Sequence, residues 1–111
     1  MWVMTRFGFF SVVQKTGESG LTIRARVRED LERLRDEGWL PRLGEIHADA
    51  GTDYQFRAHA SRADFAEALR QIALGIDYDN FKNTVHDEQG SARARVYGKV
   101  WDLLWELTKG E

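Results

Sequence analysis

Leu21-Thr22-Ile23-Arg24-Ala25-Arg26-Val27-Arg28 alternates strictly between apolar and polar residues. In an extended strand, Leu21, Ile23, Ala25 and Val27 share one face, and Thr22, Arg24, Arg26 and Arg28 share the other. Three guanidiniums on one side of a short element must be solvated, paired with carboxylates, or used to hold an anion. A guanidinium offers a planar fork of donors that matches phosphate, and it stays charged. A second alternating run, Tyr54-Gln55-Phe56-Arg57-Ala58-His59-Ala60, places Gln55, Arg57 and His59 on one face and Tyr54, Phe56, Ala58 and Ala60 on the other. If the two runs lie in one sheet, Arg24, Arg26, Arg57 and His59 form a basic patch, with Arg6 in support. Aromatic rings nearby, such as Trp2, Phe7 or Phe10, would stack on bases as they do on sheet platforms for single-stranded RNA. The competing arrangement is a solvated face neutralised by Glu45, Asp49 or an acidic helix of the same fold.

Charge is unevenly spread. The chain has a formal net charge of -2, yet residues 1–28 carry a net +4 and the remainder a net -6. Such a split suits either an anionic partner or an internally paired fold. At 111 residues the length is that of one domain, residues 1–111. With no cysteine, disulfide scaffolds, thiolate nucleophiles, iron–sulfur clusters and cysteine-ligated zinc are excluded. No apolar run approaches the roughly 20 residues of a membrane span. The start, Met1-Trp2-Val3-Met4-Thr5-Arg6, lacks the pattern of a signal peptide, so the expected location is cytoplasmic.

The elements that must position the basic residues follow from periodicity and breakers. Residues 2–14 read as a β-rich first strand, interrupted at Gly8, which marks a bulge or a close approach. Thr16-Gly17-Glu18-Ser19-Gly20 turns into the arginine strand. Glu29 to Glu37 forms a helix with Leu31 and Leu34 inward and Gly38 as its stop. Residues 44–60 read as a second hairpin turning at Asp49-Ala50-Gly51-Thr52-Asp53. Ser61-Arg62-Ala63-Asp64 is a capping-box start, and Phe65, Leu69, Ile72 and Ile76 form the stripe of the helix that follows. Asn80 to His86 is a short helix, with Asp77 or Asp79 as its cap. The last helix runs from about Ala92 to Leu107. The expected fold is α+β, a four-stranded antiparallel sheet of two hairpins in ββαββαα order, with helices packed on one face.

Thr5-Arg6-Phe7-Gly8-Phe9-Phe10-Ser11-Val12-Val13, Leu21-Thr22-Ile23-Arg24-Ala25-Arg26, Asp77-Tyr78-Asp79-Asn80-Phe81-Lys82 and Val96-Tyr97-Gly98-Lys99-Val100-Trp101 resemble a family of small uncharacterised bacterial proteins. The resemblance spans nearly the whole chain. It implies a bacterial, cytosolic, single-domain protein and brings no activity, cofactor or catalytic residue.

Other chemistry lacks its motifs. Asp77-Tyr78-Asp79-Asn80 fails as a calcium loop: Phe81 falls on a ligand position and the sixth position is no glycine. His47, His59 and His86 make no H-E-x-x-H, so no metal is expected. No G-x-S-x-G elbow or phosphate loop occurs, so no catalytic residue and no cofactor are assigned. In the last helix, Tyr97, Trp101 and Trp105 recur at helical spacing; they serve either the core or an interface. The functional expectation is a non-enzymatic binding module for nucleic acid or nucleotide on the arginine face. The alternative is a protein-interaction or homodimeric accessory protein using the aromatic helix.

Overall fold

The computed structural model describes residues 1–48 and 53–110. It contains a four-stranded antiparallel sheet with helices, the α+β architecture expected. The strands are β1 (Trp2–Thr5), β2 (Gly8–Val13), β3 (Leu21–Ala25) and β4 (Phe56–Ala60), in spatial order β1-β2-β3-β4. Helix α1 (Arg28–Asp36) separates β3 from β4, and α2 (Arg62–Leu74) follows β4. Helices α3 (Phe81–Gln89) and α4 (Ser91–Leu104) precede a closing 3-10 turn, Trp105–Lys109. The contacts divide the chain into two compact units, Met1–Ile76 and Asp77–Glu111. Among the described residues, no helix is long and apolar enough to cross a membrane.

The hairpin turning through residues 16–20 forms as expected, pairing β2 with β3, but the other strand pairings differ. The first apolar run is itself a hairpin, folding back at Arg6-Phe7 so that Thr5 pairs with Gly8 and Trp2 with Ser11. A hydroxyl makes the turn. Thr5 Oγ1 accepts from the N–H groups of Phe7 at 3.2 Å and Gly8 at 3.0 Å, and donates to the Gly8 carbonyl at 2.8 Å. The expected lead-in strand before β4 reduces to one bridge, in which the backbones of His47 and Arg57 exchange hydrogen bonds of 2.8 and 3.0 Å. Of the turn expected there, Asp49 to Thr52 lie outside the described residues.

Alternation decides which sheet face is covered. Phe10, Val12, Leu21, Ile23, Ala25, Ala58 and Ala60 are buried on one face, in a common core with Leu31 and Leu34 of α1, Leu40, Leu43 and Ile46 of the connection, and Phe65 and Ala68 of α2. Phe7 and Phe10, at 4% and 2% exposure, belong to this core, so neither ring is on the arginine side. Ser61 caps α2 as expected, its Oγ accepting from the Asp64 N–H at 3.0 Å. Phe65, Leu69 and Ile72 of the α2 stripe join the core, whereas Ile76 is exposed. The cap of α3 is Asn80, which accepts from the Asn83 N–H at 3.0 Å, in place of the aspartates expected.

In the second unit, α3 and α4 form a helical hairpin jointed at Gly90, whose φ of 93° is the left-handed region that glycine tolerates. Val85 and Tyr97 are its buried apolar residues. Tyr97 stacks on Phe81 with ring centroids 5.9 Å apart and an interplanar angle of 10°.

Candidate anion-binding face

Strand register builds this face. Trp2 pairs with Ser11, Ser11 with Arg24, and Arg24 with Arg57. These four residues therefore form one transverse row across the whole sheet, on the side away from α1 and α2. The bridge to His47 extends the row by one further residue. Thr22 and His59 make the neighbouring row. Continuing the β2–β3 register by two residues sets Phe9 opposite Arg26, just beyond β3. The sequence expectation that Arg24, Arg57 and His59 share a face matches this register.

Tyr54 organises the guanidiniums. Its ring lies 4.7 Å from the Arg24 guanidinium carbon and 4.9 Å from that of Arg26. The ring is only 6% exposed, so it is enclosed although it precedes the strand. Period-two reading placed Tyr54 on the core face. The backbone instead bends at Gln55, before β4 begins at Phe56, and the alternation does not extend back to residue 54. Each cation–π contact contributes about 0.5–2 kcal/mol, depending on desolvation.

Among the described residues no ion pair joins Arg24, Arg26 or Arg57 to a carboxylate. Arg24 Nη2 donates to Ser11 Oγ at 2.6 Å. The Nε atoms of Arg24 and Arg57 are buried without a hydrogen-bond partner. Like charges directly opposite in a sheet cost stability, on the order of 0.5 kcal/mol by the scale of cross-strand pairs. Glu45 does not supply the expected neutralisation, and Asp49 lies outside the described residues. His59 Nε2 stands 3.7 Å from Glu18 Oε2, an ion pair when the imidazole is protonated.

Other predicted residues lie apart. Arg28 opens α1 and pairs with Glu32 at 3.2 Å. Arg6 sits in the β1–β2 turn, its Nη2 reaching to 3.5 Å of the Gly75 carbonyl at the end of α2, and does not join the arginine row. In the second unit, Tyr97 is 5% exposed, while Trp101 and Trp105 are 57% and 56% exposed, their rings 5.8 Å apart. Sequence reasoning missed Ser11 and Phe9. Their parity with Trp2 across the first hairpin was hidden because that hairpin itself was not expected.

The remaining ionic clusters are local. Hydrogen bonds from Arg35 hold the Asp36 carboxyl below its usual range, and the Gln71 amide, with help from Arg70, does the same for Glu67. Among the described residues, no group of three His, Asp or Glu side chains is placed to hold a metal ion. No family model, curated protein or solved structure matches this chain.

Proposed function

We propose that this chain is a non-enzymatic binding module whose arginine-bearing sheet face holds an anionic, phosphate-bearing ligand, a nucleic acid or a nucleotide. One observation carries the reading. Arg24 and Arg26 lie against the Tyr54 ring and Arg57 pairs with Arg24 across the strands, and none of the three has a carboxylate partner among the described residues. A fold that sets two guanidiniums opposite each other bears a repulsive cost that a bound phosphate removes. His59 adds a donor at the margin, and Tyr54 holds two of the forks in place.

The test is anisotropy of labelled single-stranded RNA and DNA over a range of salt. With three arginines on phosphates, log K is expected to fall with log salt with a slope of about -2. The double variant Arg24→Gln/Arg57→Gln, folded by circular dichroism, loses binding. Equal binding by that variant sinks the proposal.

A second reading is supported by the other unit. Trp101 and Trp105, with Leu103, Leu104 and Leu107 at 66%, 57% and 76% exposure, form an apolar surface at the chain's end. It favours a homodimeric or partner-binding accessory protein. Light scattering across concentration checks this: a monomer at every concentration removes the homodimer, and Trp101→Lys/Trp105→Lys is expected to abolish any dimer seen.

A further inference from the structure

We propose that the ligand of the arginine face is single-stranded nucleic acid, with a base stacked on Trp2 and the adjoining phosphates on Arg24 and Arg57; this rests on the phosphate-binding reading above. The observation is the position of Trp2. It is 75% exposed, a large apolar area left in water on an edge strand. Its ring meets Phe9 edge-on, with centroids 6.0 Å apart and an interplanar angle of 76°. That contact fixes the indole against the sheet while leaving ring surface open. The row Trp2, Ser11, Arg24, Arg57 then runs from a stacking surface to two phosphate forks across adjacent strands.

The chemistry of the row selects among phosphate ligands. Inorganic phosphate or a polyphosphate uses the guanidiniums and leaves Trp2 idle. A duplex buries its base faces in its own stack, so an indole on this sheet face has no base face to meet. A single strand offers both π-faces and phosphates. Neighbouring strands lie about 4.8 Å apart, so the four-residue row spans roughly 15 Å. A stacked strand advances about 3.4 Å per nucleotide. The row therefore exceeds one mononucleotide and fits a short run of an oligomer.

The experiment compares four labelled or competing probes: a uridine 12-mer, its deoxythymidine counterpart, an abasic phosphodiester 12-mer and a blunt 12-base-pair duplex. The single strands are expected to bind more tightly than the abasic oligomer by about 5- to 100-fold, the contribution of stacking one base or more. Trp2→Ala removes that difference and leaves abasic binding unchanged, and Trp2→Phe restores most of it. Arg57→Gln weakens both ligands by the same factor. Equal binding of the abasic oligomer or the duplex, or an unchanged profile for Trp2→Ala, overturns this inference while the phosphate-binding reading stands. Loss of the Arg24 and Arg57 dependence, or no binding of any probe at low salt, overturns both. The uridine and deoxythymidine arms separate an RNA from a DNA ligand.

Discussion

The carboxyl carbon of Asp30 lies 2.8 Å from where a Cβ on Gly8 would stand. Asp30 is 1% exposed; its Oδ2 accepts from the Phe9 N–H at 3.0 Å and its Oδ1 from Arg33 Nη2 at 2.5 Å. Arg33 Nε in turn donates to the Phe7 carbonyl at 2.8 Å. One buried carboxylate thus pins α1 to the β1–β2 hairpin, and only a residue without a side chain admits it. Gly8→Ala is expected to destabilise the fold by about 1–3 kcal/mol, because neither backbone nor carboxylate can yield without losing hydrogen bonds. The urea midpoint measures this, and an unchanged midpoint would remove the clamp from the account.

Removing one of the facing guanidiniums should separate stability from binding. Arg57→Gln relieves the opposition with Arg24 and is expected to hold or raise stability slightly, by on the order of 0.5 kcal/mol, while weakening anion binding. Wild-type stability should rise in phosphate more than in chloride at matched ionic strength, since phosphate binds the folded face and chloride mainly screens. In the variant the extra gain in phosphate should shrink to the general kosmotropic part that any folded protein shows. A calorimetric scan in the two salts is sufficient.

Tyr54 offers a conservative contrast. Tyr54→Phe keeps a ring against Arg24 and Arg26 and is expected to retain binding. Tyr54→Ala removes both cation–π contacts and a buried side chain, and should cost about 3–5 kcal/mol by the scale of aromatic deletions. Denaturant titration of the two variants distinguishes a positioning ring from a dispensable one.

Acid should remove a modest part of the stability through Glu67 and Asp36. Both carboxyls titrate below their ordinary range in the folded protein, Glu67 through the Gln71 amide and Asp36 through Arg35. The stabilisation is therefore full above their unfolded range and is lost as pH falls through the folded values. Glu67→Gln together with Asp36→Asn is expected to flatten the acid limb of a midpoint-against-pH curve slightly, because both groups are solvent-exposed.

Period-two alternation made the arginine strand and the shared face of Arg24, Arg57 and His59 readable from residue types alone. It failed at the first hairpin for a chemical reason. Phe7-Gly8-Phe9-Phe10 is apolar throughout and carries no Asn-Gly or Asp-Gly turn pair, and the reversal depends on a single threonine hydroxyl. Tyr54 was misplaced because alternation tells which residues share a face but not where a strand begins. Gly8 was readable as a close approach, yet its neighbour Asp30 comes from α1, a long-range contact that no local pattern encodes. Trp2 stood out by type, and only the register of three strand pairs puts it in line with Arg57.

The order in which the sheet is stitched has a kinetic consequence. β1, β2 and β3 are contiguous in sequence and joined by short turns, whereas β4 arrives only after α1 and the connection beyond it. Local pairings close at smaller entropic cost, so the three-strand meander is expected to form early and β4 to dock late. On that order, Arg57 meets Arg24 at the last step. A bound anion bridging them would then tie down the strand expected to dock last. Ligand should lengthen the lifetime of the folded state in stopped-flow unfolding and leave the refolding rate nearly unchanged.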